Sequence, residues 1–113
     1  MRNRTSISSE MLPGTLDVLI LKVIAREPAH GYAIARHLER VSDDALRVGE
    51  SALYPALQRL LVNGWVKAEW GESDLGRRAR IYRITPAGRK RLAQEAAEFE
   101  RLSGVINAIL RKA

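Results

Sequence analysis

At Gly64 the spacing of apolar side chains changes from helical to alternating. A chain with helices before such a point and paired strands after it has few folds open to it. On the upstream side, Gly49–Gly64 read at helical period places Leu53, Leu57 and Leu60 on one face, with Ala56 and Leu61 at its margins. The opposite face carries Ser51, Pro55, Gln58, Arg59 and Val62, with Tyr54 on the flank, and beyond Glu50 it holds no acid. A helix that enters a major groove needs this division, with bulk toward the core and compact hydrogen-bonding groups outside. Pro55 is tolerable because it lies near the first turn, and Gly64 supplies the stop. Taken alone, the segment reads first as an ordinary amphipathic surface helix. Its neighbours change that.

Downstream of Gly64, Val66, Ala68 and Trp70 take one side of a strand, and Lys67 and Glu69 the other. Residues 71–76 form a loop by composition, and Ala79–Ile84 returns as the second strand of a hairpin. The tip carries Arg77, Arg78 and Arg80, and Arg83 follows on the strand. Between Gly76 and Arg91 there are seven basic residues and no acidic one. A charge run is usually a solvated face, but arginines on a protruding hairpin also suit a narrow minor groove and its phosphates.

Upstream, the spacing predicts a helix over Leu16–Arg26 with Thr15 as its N-cap, closed by Pro28. This helix is apolar nearly all round, which requires burial on several sides. A second helix runs from His30 to Val41, with Arg36, His37, Glu39 and Arg40 outward. Ser42–Asp44 is a turn signal, and Leu46–Val48 is expected to form a short strand. Three helices followed by a hairpin is the order of a winged helix-turn-helix.

Thr85 and Pro86 restart the chain as a helix of about 25 residues, roughly 38 Å long. Leu92, Ala96, Phe99, Ile106 and Leu110 form its apolar stripe, widened by Leu102 and Ile109, and Gly104 is expected to mark a bend. The stretch from Phe99 to Leu110 outruns the core of one small domain and would be bare unless a second copy covered it. The expected organisation is therefore a flexible arm over residues 1–12, a winged-helix domain over 13–85, and a dimerisation helix over 86–113. The recognition helix falls at about 50–64 and the wing at 71–80.

Composition narrows the function further. Nineteen basic against thirteen acidic residues give a formal charge of +6, pointing to an anionic partner. With no cysteine there is neither a disulfide framework nor a thiolate metal site. His30 and His37 lie seven apart with no convergent third ligand, so both read as surface or cap residues and no metal is expected. No apolar run reaches the length of a membrane span, and the N-terminus does not resemble a signal peptide, so a cytoplasmic location is expected. No nucleophile, base and orienting group converge, and no glycine-rich phosphate loop is present, so neither catalysis nor a cofactor is expected.

With these residues in view, the chain resembles the PadR family of bacterial transcriptional regulators. The resemblance rests on Gly14–Leu21, His30-Gly31-Tyr32-Ala33-Ile34, Ser51–Leu57, Trp70–Ser73 and Gly76–Gly88, in that order. Leu53-Tyr54-Pro55 combined with Gly76-Arg77-Arg78 ahead of Tyr82-Arg83-Ile84-Thr85 is the specific part. The single C-terminal helix resembles the smaller subclass of that family. The resemblance implies a homodimer joined through its first and last helices, binding double-stranded DNA at an inverted-repeat operator, mostly as a repressor. It places Ser51, Tyr54, Gln58 and Arg59 at the groove-reading surface and Arg77, Arg78 and Arg80 on the wing. It also implies, in some members, release by a small hydrophobic or aromatic effector near the dimer interface. Multidrug-binding relatives stack such ligands on a tryptophan of the last helix; here Phe99 is that helix's only aromatic, and Trp65 and Trp70 are expected to pack under the wing. The competing expectation is a winged-helix module for protein contact, without specific DNA binding.

Overall fold

The computed structural model describes residues 13–72 and 76–113. The expected N-terminal arm, residues 1–12, lies outside the described residues. The elements run α1 (Pro13–Arg26), β1 (Ala29–His30), α2 (Gly31–Val41), α3 (Glu50–Val62), β2 (Val66–Glu72), β3 (Arg78–Ile84) and α4 (Pro86–Lys112). Helix α1 begins at Pro13, whose fixed φ suits a first helical position, so Thr15 falls inside the first turn instead of capping it. His30 caps α2: its Nδ1 accepts the Ala33 backbone N–H at 3.3 Å.

The three strands form an antiparallel sheet in the order β1-β3-β2. Its third strand is Ala29–His30, which pairs with Tyr82 and Ile81, while the short strand expected at Leu46–Val48 is reduced to a single bridge residue at Leu46. Two residues after a proline carry no periodicity to detect. Leu46 and Val48 are nonetheless buried, supplying core from the segment between α2 and α3.

The core is aliphatic. Ile20, Leu21 and Ile24 of α1 meet Ile34 of α2 and Leu57 and Leu60 of α3, all almost wholly enclosed. Ala56, expected at the margin of the α3 face, is fully enclosed as well.

The hairpin register sorts the wing into two faces. Val66 opposes Ile84, Ala68 opposes Tyr82, Trp70 opposes Arg80 and Glu72 opposes Arg78. Side chains alternate along a strand, so these four pairs share one face. At its base that face is core: Val66, Tyr82 and Ile84 are buried. Toward the tip it leaves the core, and Trp70, Glu72, Arg78 and Arg80 are exposed. The other face holds Glu69 and Arg83, joined by an ion pair at 3.4 Å. Gly71 also lies there, where a Cβ would press against Ile81 at 2.9 Å.

A compact joint ties α4 to the end of α3. The Thr85 hydroxyl donates to the Gly64 carbonyl at 2.8 Å and accepts the Gly88 N–H at 3.0 Å. The Thr85 N–H donates to the Trp65 carbonyl. Gly64 adopts φ +75°, the left-handed geometry glycine favours at a helix stop. Gly88 is required here because a side chain would overlap the Trp65 carbonyl oxygen. Beyond the joint α4 remains helical through Gly104 to Lys112, with no break at the expected bend.

Candidate nucleic-acid interface

Helix α3 presents Ser51, Tyr54, Pro55, Gln58 and Val62 to solvent. Pro55 has no N–H to give to the Ser51 carbonyl, so an acceptor is left without its helical partner beside the exposed Ser51 side chain. Gly49 caps the helix without a side-chain hydrogen bond, leaving first-turn N–H groups open to a partner.

Tyr54 lies on the flank that faces α2. Its ring rests on the backbone of Gly31, where a Cβ would sit 3.1 Å from the Tyr54 hydroxyl. The hydrogen atom at Gly31 thus lets α3 dock against the start of α2.

Arg59, expected at the groove-reading surface, pairs across helices with Asp17 of α1. Its Nη2 donates to Asp17 Oδ1 at 2.8 Å and its Nε to Asp17 Oδ2 at 3.1 Å. That two-pronged pairing raises the Arg59 pKa from its ordinary value, with burial opposing it. The guanidinium is thus paired with α1, while 42% of the Arg59 side chain stays exposed. The sequence could not show this, because Asp17 lies in an earlier helix.

Between α3 and the wing runs an open groove of about 610 Å³. Tyr54 and Gln58 form one wall; Trp70, Arg77, Arg78 and Arg80 form the other. The Arg78 guanidinium lies 4.7 Å from the centre of the Trp70 ring, and that of Arg80 lies 5.9 Å from the Tyr82 ring. Among the described residues, none of the three arginines makes an ion pair. Burial pushes the Tyr82 hydroxyl pKa up, partly offset by Arg80.

Three of the other four cations of the basic run go elsewhere. Arg83 pairs with Glu69 on the far face, Arg89 donates to the Ala25 carbonyl, and Arg91 pairs with Glu95 while lying 4.7 Å from the Trp65 ring. Trp65 is partly buried against the core, as expected. Trp70 is not: it is 60% exposed on the groove wall, because the hairpin carries its inner face beyond the core. Only the register of the strands could have revealed that.

On α4, Leu92 packs against its own core, while Phe99, Leu102, Ile106, Ile109 and Leu110 are exposed, joined by Val105. Ala96 is exposed as well. Among the described residues no group of His, Cys, Asp or Glu could hold a metal, and no helix is long and apolar enough to cross a membrane.

These parts define a winged helix-turn-helix protein extended by one long C-terminal helix. Residues 20–94 match the transcriptional regulator PadR-like family, and the chain belongs to that family of transcriptional regulators. It is 37% identical over 84 residues to a transcriptional regulator of Mycobacterium tuberculosis, covering 74% of this chain and 75% of that protein. A solved structure of a transcriptional regulator from Clostridium thermocellum superposes with a TM-score of 0.77 at 35% identity, covering 84% of this chain and 92% of that one. The PadR-like transcriptional regulator of Bacillus cereus superposes with a TM-score of 0.78 at 27% identity, covering 93% of this chain and all of its own (100%).

Proposed function

We infer that this regulator binds double-stranded DNA as a homodimer, α3 entering the major groove and the wing lying along the minor groove and its phosphates. The observation that carries this reading is the groove between Tyr54 and Gln58 on one wall and, on the other, three arginines that make no ion pair among the described residues. A phosphate strand entering it would meet donors from both elements at once. Ser51, Tyr54 and Gln58 are the candidates for reading bases; Arg77, Arg78 and Arg80 are the candidates for phosphates.

The bare stripe on α4 supports the dimer. Phe99 is 61% exposed, Ile106 45% and Leu110 74%, on a helix that projects past its own core. A second copy laid against it would remove that surface from water. Two reading helices related by a two-fold axis call for an inverted-repeat operator, with half-site centres about 34 Å apart. Repression follows when such an operator overlaps a promoter. A small hydrophobic effector would act where the α4 stripes meet, by shifting the spacing of the two α3 helices.

Gel-shift of the full chain with fragments of its own promoter tests this reading, with sedimentation giving the oligomeric state. The expected result is a saturable complex of two chains per duplex that survives excess non-specific competitor. A monomeric protein, or binding abolished by competitor, would instead favour a winged helix used for protein contact.

A further inference from the structure

We propose that Trp70 is a positioning residue for DNA binding, acting with Arg78 as one preorganised unit on the wing. The inference rests on the DNA-binding reading above. Trp70 lies one register step from Arg78 on the shared face of the hairpin, and its indole ring sits under the guanidinium at 4.7 Å. Glu72 stands directly opposite Arg78, yet Arg78 makes no ion pair among the described residues and lies over the ring instead.

The choice of partner matters chemically. Stacking occupies the flat face of a guanidinium and leaves its in-plane N–H donors free. A carboxylate would occupy those donors and neutralise the charge. Over Trp70, Arg78 keeps its full charge and its fork of donors, with much of its side-chain freedom already removed. A phosphate entering the groove therefore meets an ordered cation, and less entropy is lost on binding. Trp70 has little reason to be here as core, since more than half of it is in water (60% exposed).

The test uses the full chain and a labelled mixed-sequence duplex at low salt, followed by fluorescence anisotropy across a salt series. Trp70→Ala should weaken binding about two- to five-fold, the range of a cation–π contact at an exposed site. Its salt slope should stay unchanged, because Arg78 still reaches the phosphate. Trp70→Tyr should retain most of the affinity. Arg78→Ala should weaken binding and also lower the slope by about 0.9. The double variant should be no weaker than Arg78→Ala alone. Nuclear magnetic resonance of the free protein gives a readout independent of DNA: the Arg78 methylene protons should be shifted upfield by the indole ring, and should lose that shift in Trp70→Ala.

Binding untouched by Trp70→Ala, additive losses in the double variant, or an absent ring-current shift would each overturn the proposal. If Trp70→Ala fails to fold, Trp70→Leu removes the ring while keeping bulk, and the same outcomes apply. Wild-type protein that binds no duplex at low salt would sink the DNA-binding reading itself. Binding that ignores the Trp70 variants sinks only the Trp70–Arg78 unit.

Discussion

Arg59 of α3 is held by Asp17 of α1 through two hydrogen bonds, at 2.8 and 3.1 Å. The Asp17 side chain is only 14% exposed and that of Arg59 is 42% exposed, so the pair sits at the seam where α3 packs on the central helix. It adds a polar tie between α1 and α3, whose roll is set by the buried Leu53, Ala56, Leu57 and Leu60.

Asp17→Ala should therefore lower stability, by about 1 kcal/mol once solvent screening of the partly exposed arginine is allowed for. It also frees a cation on α3. The salt slope of DNA binding should rise in this variant, whereas Arg59→Ala should leave the slope at its wild-type value. Thermal melts and a salt series read the two effects separately. A fall in slope with Arg59→Ala would return that residue to the phosphate-contact set.

The two faces of the hairpin should behave differently. Arg77→Ala and Arg80→Ala are each expected to lower the salt slope by about 0.9, as a lost phosphate contact does. Arg83→Ala lies on the other face, paired with Glu69, and should leave the slope alone. Equal effects from Arg80 and Arg83 would mean that the wing acts only as diffuse charge.

Gly88→Ala should destabilise the fold although alanine is the better helix former. The added methyl would overlap the Trp65 carbonyl oxygen and come within 2.8 Å of Ile84 Cγ1, with backbone on one side that no rotamer change relieves. Overpacking of this kind costs about 1–3 kcal/mol. Gly104→Ala is the control, since nothing lies near its position, and it should be neutral or stabilising.

Ile106→Glu should convert the proposed dimer to a monomer at micromolar concentration in sedimentation, and weaken DNA binding with it. Ile106 is 45% exposed on one chain and belongs to no buried cluster, so the monomer itself should keep its helical content by circular dichroism. An unchanged sedimentation coefficient would remove the α4 stripe from the interface.

Stability should fall at high pH through Tyr82. Burial raises its folded pKa above the ordinary 10.0, so the folded state holds this proton more tightly than the unfolded state does. Its contribution is complete below about pH 10 and is lost as pH climbs through the raised value. Tyr82→Phe should flatten the melting temperature across that alkaline window. A wild-type melting temperature unchanged there would contradict the burial of the hydroxyl.

Features whose causes lie within a few residues are legible in the order of the residues. The His30 and Thr85 caps each satisfy an N–H three residues on, Gly64 ends α3 by its own backbone geometry, and the changes of period mark where helices give way to strands. Which partner each polar side chain meets depends on how the elements pack. Asp17 takes Arg59 from across 42 positions of chain, Ala29–His30 becomes a strand only because β3 offers an edge, and Trp70 stands in the groove because the hairpin outruns the core that its inner face begins in. Local pattern records which face of an element is apolar. How far that face stays covered, and by what, depends on where the other elements end.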